Sequence, residues 1–379
     1  MDNLTHSFIG LAASKAGLEK LSPGATTLCV LAANSPDADI VALLGGRWTY
    51  LQHHRGITHS IIGALVLAIA LPVAFYLGDL AIARLRKRRP KVKLAGLLLA
   101  SIIATATHPF MDWTNNYGMR FLLPWSPRWS YGDFVFIIDP FIWIVLGGAA
   151  FLLTAKTRAR IIIWAVVALI PSLVVLIGPS GPAELANKNL MRLLWIAALL
   201  VLVVLYRKKI GPALGARLAT AALATVSIYL VGLAVAHSFA YRKAETVAAD
   251  LARSNGEEIV KLAAMPTVAN PVEWSCAMET NRASYRFSVS LLRTGPGSSA
   301  VARFEKPSGL EAQAVAQAER DYRTQVFLGF ARFPAMKVEG EDCVTQTLVQ
   351  FADIRYTEPG KGRGTFSLDL PVDCPIENK

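Results

Sequence analysis

The sequence has few charged side chains and few cysteines for its length. Charged residues make up 17% of the 379 residues and hydrophobic residues 53%, a balance too apolar for an ordinary soluble protein. The net charge of +12 does not indicate nucleic-acid binding, because the basic residues form short clusters between apolar runs. We therefore expect a membrane protein with no nucleic-acid partner.

The four cysteines show no CxxC spacing, which argues against a zinc ribbon. Cys29 lies in the apolar N-terminal part, whereas Cys276, Cys343 and Cys374 lie in the polar C-terminal third. If that third lies outside the cytoplasm, a disulfide bond is permitted among its three cysteines, and the odd count leaves one thiol unpaired. The sequence leaves the pairing open.

Long apolar runs dominate the first two thirds of the chain. Six of them are long enough, or nearly so, to cross a bilayer as helices. They cover residues 60–83, 94–107, 134–155, 161–177, 190–206 and 218–236. Two earlier apolar stretches, residues 8–16 and 24–33, are shorter and interrupted, and we predict that they pack on or dip into the bundle.

The loops between these runs predict the orientation of the bundle. Residues 84–93, 156–160 and 207–217 carry seven, three and four basic residues, whereas the intervening loops hold a few charges of both signs. Cytoplasmic loops retain Lys and Arg, so these three loops are predicted to lie in the cytoplasm. Residues 1–59 and everything after the sixth run are then extracytoplasmic.

The composition changes after residue 237. Amphipathic helical patterns alternate with strand-like patterns such as "SYRFSVSLL" and "GTFSLDLPV". We predict three parts: an N-terminal segment (1–59), an all-α polytopic bundle of about six transmembrane helices (60–237) and a small extracytoplasmic α+β domain (238–379). An envelope protein is a candidate partner for the last part.

Five of the six histidines lie within the first 108 residues, beside aspartates in four short motifs. The motifs are "DNLTHS" with His6, "NSPDAD" with Asp37 and Asp39, "HHRGITHS" with His53, His54 and His59, and "THPFMDW" with His108 and Asp112. Mixed His and Asp ligation suits zinc or a similar divalent ion. The predicted topology brings these motifs, with Asp139, to one face of the membrane.

Spacing within the motifs adds local geometry. His108 and Asp112 are four residues apart and would share a helical face, although Pro109 between them would kink the helix or begin a new turn. Asp37 and Asp39 follow a proline in a polar loop, where they could ligate an ion, leave Asp39 free as a general base, or simply form a turn or helix cap.

Two further residues, Arg55 and Asp139, each allow two interpretations. Arg55 could clamp a substrate phosphate through bidentate hydrogen bonds or anchor lipid headgroups. Asp139 lies beside an apolar run, where a carboxylate is costly unless it has a function, but with Pro140 after it a helix N-cap is the alternative. His53 is read as an outer partner of the site, and His237 as an interfacial side chain.

At these motifs the sequence resembles the bacterial family of LexA-binding, inner-membrane-associated metal-dependent hydrolases (YdjM-like). The resemblance rests on "THS", "SPDAD", "HRGITHS" and "HPFMDWTNNYG", with "IDPF" and "NPVEW" as weaker matches. That family is grouped with the zinc-dependent phospholipase C and S1/P1 nuclease superfamily. The resemblance implies a phospholipase C-like helical metal site in a multi-pass protein of the bacterial inner membrane.

Carried over by residue, the resemblance implies metal ligation by His6, Asp37, His59, His108 and Asp112, with Asp39 and His54 as further ligands or catalytic groups. No later histidine pair and no HxxxE motif follow Asp112, so one or two ions, most simply Zn²⁺, are expected rather than three. LexA binding is not carried over, because the loop charges place the site outside the cytoplasm.

The predicted function is a metal-dependent hydrolase. We predict that Asp39, Arg55 and Asp139 act in catalysis. The predicted metal ligands are His6, Asp37, His54, His59, His108 and Asp112. A site at the outer leaflet suits a phosphoester of a lipid or a lipid-linked amphiphile. The alternative is a non-catalytic assembly or sensor protein that uses the metal structurally, with four ligands and no open position.

Overall fold

The computed structural model describes residues 1–177, 185–293, 300–339, 345–362 and 364–374. These residues form two compact units. The first unit contains Met1–Ala38, Arg55–Val235 and Val268–Asn270, and the second contains Asp39–His54, Ala236–Thr267 and the chain from Pro271 onward. The division predicted at residues 59 and 237 stays a prediction.

The described helices are numbered in chain order. They are α1 (Asn3–Ala16), α2 (Ala25–Asn34), α3 (Arg47–His53), α4 (Ile61–Leu85), α5 (Leu94–Trp113), α6 (Pro140–Ile142), α7 (Gly148–Thr154), α8 (Arg158–Ile177), α9 (Leu185–Arg207), α10 (Ile210–Leu214), α11 (Ala216–Asn255), α12 (Gly309–Ala318) and α13 (Tyr322–Phe330). Short 3₁₀ segments at Leu18–Lys20, Ser35–Gly45, Ile57–His59 and Gly364–Phe366 and a π turn at Trp143–Gly147 complete the helical structure.

Six described helical segments are long and apolar enough to cross a membrane. They are Ala25–Gly45, Ile61–Leu85, Leu94–Trp113, Arg158–Ile177, Asn189–Arg207 and Ala216–Asn255. A helical membrane bundle is therefore supported, and five of the six segments coincide with predicted runs.

Two segments differ from the prediction. The apolar stretch 24–33 alone predicts no span, but α2 continues into the 3₁₀ segment Ser35–Gly45. Pro36 permits this because it lies at the start of that segment, where it removes no needed donor. Conversely, the run predicted at 134–155 becomes the shorter helix Pro140–Thr154. Asp139 and Pro140 begin the helix late, and at about 1.5 Å per residue it is too short to cross about 30 Å of hydrocarbon.

The hairpin of α4 and α5 positions most of the candidate metal ligands. Ser60 caps α4 by accepting a hydrogen bond from the backbone N–H of Gly63 at 3.1 Å. The basic loop after α4 returns the chain antiparallel as α5, which packs against α2 through a buried cluster of small and branched side chains that includes Leu28, Leu97 and Ala104. The start of α4 and the end of α5 therefore lie at the same end of the hairpin.

The second unit combines antiparallel sheets with helices, as the predicted α+β domain requires. One sheet has the order β1-β2-β3-β4, and the other has the order β5-β6-β7. The strands are β1 (Ile259–Thr267), β2 (Asn270–Thr280), β3 (Ala283–Ser290), β4 (Ala302–Glu305), β5 (Pro334–Glu339), β6 (Gln346–Asp353) and β7 (Ser367–Asp373).

The cores of this unit are apolar. Helices α12 and α13 cover the second sheet through a cluster that includes Val315, Phe327 and Phe351, and Trp48 of the segment 39–54 packs against it. Tyr322 on α13 also donates a hydrogen bond to the side chain of Gln52. Segment 39–54 thus belongs to the C-terminal unit by packing, a long-range relationship that local patterns do not reveal.

The structure shows the oxidation state of three of the four cysteines. Cys29 and Cys276 are buried free thiols, whereas Cys374 is disulfide-bonded. Burial raises the pKa of Cys276 above its usual value, which keeps this thiol protonated and unreactive. Cys343 lies outside the described residues.

Candidate metal centre

Four predicted ligands of the first unit converge at the ends of α4 and α5. One ligand atom from each of Asp37, His59, His108 and Asp112 lies within 4.8 Å of the others. The Nε2 atoms of His59 and His108 are 3.2 Å apart, and Asp37 Oδ1 lies 3.2 Å from the first and 3.5 Å from the second. Asp112 Oδ2 lies 3.6 Å from each Nε2.

Three local features position the four side chains. His108 and Asp112 lie one turn apart on α5, and Pro109 between them remains inside the helix, so the predicted shared face is present. His59 ends the 3₁₀ turn that precedes α4, and Asp37 lies in the 3₁₀ segment after α2. The cluster therefore depends on two turns and a helix end rather than on one helix.

The outer nitrogens of the imidazoles are held by hydrogen bonds. His108 Nδ1 donates to the carbonyl oxygen of Ala33 at 2.7 Å, which leaves the lone pair of its Nε2 directed into the cluster. His59 Nδ1 lies 3.1 Å from the hydroxyl of Thr58. Such outer partners commonly fix the tautomer and ring orientation of a metal-binding histidine.

The distances fit a divalent ion. Ligand bonds of about 2.0–2.2 Å at tetrahedral angles separate neighbouring ligand atoms by about 3.3–3.6 Å. Five of the six distances among the four ligand atoms run from 3.2 to 3.6 Å. The histidines and Asp112 are buried, and Asp37 is 16% exposed, so solvent reaches the cluster on the side of Asp37.

Arg55 binds Asp112 from inside the first unit. Its side chain is only 2% exposed, and its Nε lies 3.1 Å from Asp112 Oδ2. One terminal nitrogen donates to the backbone oxygens of Asp112 and Gly118 and to the side-chain oxygen of Asn115. The guanidinium also stacks on the ring of Tyr117. This geometry orients the Asp112 carboxylate, and a direct contact with substrate stays a prediction.

His6 lies next to the four-residue cluster. Its Nε2 is 3.3 Å from Asp112 Oδ1, and its ring stacks on that of His108 with 3.7 Å between the ring centres. Burial lowers the pKa of His6 well below its usual value, so the imidazole is neutral at pH 7. The α-amino group of Met1 also contacts the Asp112 carboxylate.

Asp39 and His54 form a pair within the second unit. His54 Nδ1 lies 3.1 Å from Asp39 Oδ1, and the ring of His54 stacks on Tyr50. An imidazole held in this way by a carboxylate presents its other nitrogen as a base or ligand. His53 is exposed at the end of the short helix α3, and His54 follows it.

Asp139 has the geometry of a helix cap. It accepts hydrogen bonds from the backbone N–H groups of Phe141 and Ile142, and the hydroxyl of Tyr229 donates to its other oxygen at 2.9 Å. Among the described residues, the groups that could hold a metal ion do not include Asp139. The structure thus supports the interpretation of Asp139 as a helix N-cap, and its catalytic role stays a prediction.

The sequence analysis did not predict two groups that hold site residues in place. The carbonyl of Ala33, which orients His108, is a backbone group with no residue-type signal. Asn115, which binds Arg55, lies in "DWTNNYG", where a polar side chain directly after a ligand could have been noticed. Asn115 is fully buried.

The comparisons with known proteins concern the same part of the chain. Residues 1–181 match the family model described as YdjM inner membrane protein. The matched YdjM region contains the whole four-residue cluster together with His6, Arg55 and Asp139, and it ends before the strands of the second unit. With six candidate spans, the match is consistent with a multi-pass membrane protein.

A curated relative has no assigned function. The chain is 30% identical over 154 residues to the uncharacterized protein YfhP of Bacillus subtilis (strain 168). The alignment covers 38% of this chain and 43% of YfhP, so the chain spans less than half the length of that relative. No solved structure matches the chain.

Proposed function

We propose that this protein is an integral inner-membrane metal-dependent hydrolase that cleaves a phosphoester of a lipid or another amphiphile at the outer membrane face. The observation that carries the proposal is the arrangement of Asp37, His59, His108 and Asp112, whose mutual distances match those of ligands around one divalent ion. Two imidazoles and two carboxylates also match the donor set of zinc and similar ions.

The four side chains would hold the ion, which when bound lowers the pKa of a coordinated water and polarises a phosphoryl oxygen. The exposed side of Asp37 is where water and substrate would approach. Arg55 would keep the Asp112 carboxylate in its ligating orientation. Within the second unit, Asp39 holds the imidazole of His54 at 3.1 Å, and the catalytic role of Asp39 stays a prediction.

Charge supports the outer-face location. The loop that joins α4 to α5 carries seven basic residues, as cytoplasmic loops do, and the cluster lies at the opposite end of that hairpin. The disulfide bond at Cys374 fits an extracytoplasmic C-terminal unit, because disulfides are rare in the cytoplasm.

One observation favours the non-catalytic alternative. Four protein ligands are the usual number for a closed structural zinc site, whereas catalytic sites keep an open position. The same four ligands leave two positions open if the ion is six-coordinate, as Mn²⁺ often is. Whether an exchangeable water remains on the metal therefore separates the two functions.

The experiment uses the full chain purified in detergent. Metal content and hydrolysis of a panel of phospholipid and polyprenyl phosphoesters would be measured for the wild type and for His59→Ala. His237→Ala, which alters a histidine outside the four motifs, serves as the control. For the wild type we expect one or two divalent ions per chain and hydrolysis of at least one panel member. His59→Ala should lose the metal and the activity, and the control variant should keep them.

Water relaxation on the Mn²⁺-loaded protein supplies the second readout. An open coordination position predicts rapid exchange of a metal-bound water. Bound metal without an exchangeable water and without hydrolysis of any panel member would contradict the hydrolase and support the structural role.

A further inference from the structure

An apolar cavity lies within the first unit, apart from the metal ligands. Its volume is about 250 Å³. Its walls come from α1, the π turn and α7, and from the facing sides of α8 and α9. The residues that carry the argument are Phe8, Trp143, Trp164, Ala168, Trp195 and Leu199. Among the described residues that line it, none has a charged or hydroxyl-bearing side chain.

The three tryptophans present only carbon to the cavity. The indole N–H of Trp143 donates to Asp2 and Thr5, that of Trp164 to Thr154 at 2.8 Å, and that of Trp195 to Ser172 at 3.1 Å. Each polar atom is therefore satisfied outside the cavity. A site without free donors or acceptors excludes a polar headgroup and water, and it accepts hydrocarbon.

The helices around the cavity indicate that the hydrocarbon would come from membrane lipid. Helices α8 and α9 are candidate membrane spans, and only a small part of each is buried. Val166 on α8 is 60% exposed and Leu200 on α9 is 63% exposed, as lipid-facing side chains would be. The medium beside the cavity is then the bilayer interior, whose acyl or prenyl chains can enter laterally between the helices.

The wall of the cavity also contains an irregular turn. Trp143–Gly147 forms a π turn, and such turns within helices occur frequently at functional sites. The same turn connects the cavity to α1, because Trp143 hydrogen-bonds Thr5, the residue before His6. Helix α1 thus contacts the cavity through Phe8 and the metal-ligand cluster through His6.

We propose that this cavity binds one hydrocarbon chain of a membrane lipid. Binding of the chain follows from the cavity itself. Its use as the chain subsite of the substrate rests on the proposed hydrolase function, and it narrows the substrate to an amphiphile with a long acyl or prenyl chain. One chain would lie along α8 and α9 while the headgroup remains outside the cavity.

The test fills the cavity with a side chain. Ala168→Phe places an aromatic ring among the lining residues, and Val166→Phe places the same ring on the exposed side of the same helix. The full chain would be reconstituted in nanodiscs of phosphatidylglycerol whose acyl chain carries a photoreactive diazirine. Labelled residues are then mapped by mass spectrometry after illumination.

For the wild type and Val166→Phe we expect labelling at Trp164, Trp195 and Leu199. For Ala168→Phe we expect labelling at these cavity residues to fall about tenfold. This is the loss of occupancy expected if about two methylene groups of the lipid chain can no longer be buried. Leu199→Phe, which fills the cavity from α9, should repeat the loss. Equal metal content and gel-filtration profiles of all variants exclude misfolding as the cause.

Equal labelling of Ala168→Phe and the wild type, or labelling confined to the lipid-facing residues, would overturn the proposal. Hydrolysis is scored separately, with dibutyryl and dioleoyl forms of one headgroup. If the labelling follows the prediction but neither form is hydrolysed, the chain site stands and the hydrolase proposal fails. A substrate subsite predicts that Ala168→Phe loses activity on the dioleoyl form and keeps it on the dibutyryl form.

Discussion

His59 and His108 direct their Nε2 atoms toward each other across 3.2 Å, and the second nitrogen of His108 is already a donor to Ala33. Two imidazole lone pairs that face one another beside the carboxylates of Asp37 and Asp112 repel unless a proton or a cation lies among them. A divalent ion satisfies all four groups at once. This relationship is the physical basis of the proposed metal site.

Removal of one imidazole should therefore remove the metal. We expect His108→Ala to weaken metal binding by more than the about 10–100-fold that loss of an outer partner costs, because a ligand bond itself disappears. Metal content after equilibration with a graded series of chelators measures the change. His237→Ala, which alters a histidine of the second unit, should behave as the wild type, and equal metal retention in both variants would contradict the ligand assignment.

The variant Arg55→Lys tests whether the buried Arg55 side chain acts by positioning the Asp112 carboxylate. Lys keeps the charge but lacks the fork that joins Asp112 to Asn115 and Gly118, so we expect Arg55→Lys to lower metal affinity about 10–100-fold without abolishing it. The chelator series gives the affinity, and substrate kinetics give KM. Unchanged affinity with a raised KM would instead favour the phosphate clamp.

Asp139 distinguishes a helix cap from a catalytic carboxylate. Asn caps helices about as well as Asp, so Asp139→Asn should retain both stability and activity, whereas Asp139→Ala should lose about 0.5–2 kcal/mol of stability. Thermal unfolding in detergent and hydrolysis rates measure the two effects. An inactive Asp139→Asn with normal stability would show that the carboxylate takes part in the reaction.

In the second unit the buried carboxylate of Glu257 pairs with Arg303, which is 32% exposed, and this pair should make stability depend on pH. Burial acts to raise the pKa of Glu257, but hydrogen bonds from Arg303, Thr280 and Tyr285 outweigh it and lower the pKa overall. A lowered folded-state pKa stabilises the fold above the usual pKa of Glu, and this contribution is lost as the pH falls. We expect Glu257→Gln to cost about 1–3 kcal/mol at pH 7.

The difference between Glu257→Gln and the wild type should shrink as the pH is lowered through the acidic range, because the wild-type carboxylate then becomes protonated. Protease resistance of the C-terminal unit in the full chain, measured between neutral and acidic pH, reports this. Glu258→Gln changes the exposed neighbour and should have little effect at any pH. A constant difference across the pH range would show that ionisation of Glu257 does not matter.

The sequence predicted that Asp37, His59, His108 and Asp112 come together, because their positions follow from short-range patterns. Apolar length and a basic loop specify an antiparallel hairpin, and this brings His59 to the end of α5 that carries His108 and Asp112. Asp37 joins them because α2 packs along α5. The convergence thus depends on periodicity, loop charge and small buried side chains, all of which can be read from the residues.

Other features could not be predicted, because they depend on distant packing. Asp39 and His54 belong to the C-terminal unit since their segment packs on α13, more than two hundred residues later in the chain. Arg55 was expected to face lipid or substrate, and its buried bonds depend on the conformation of the loop after α5. For Asp139, the carboxylate beside an apolar run favoured a functional role over the helix N-cap that the structure shows, because the hydrogen bonds of a cap are not visible in the residue pattern.

The most direct test of the metal centre is the metal content of the full chain purified in detergent without chelators, determined by mass spectrometry together with that of His59→Ala. The four-ligand arrangement predicts at least one equivalent of a divalent ion in the wild type and its absence from the variant. A wild-type protein that carries no divalent ion and takes up none from zinc or manganese solutions would contradict it.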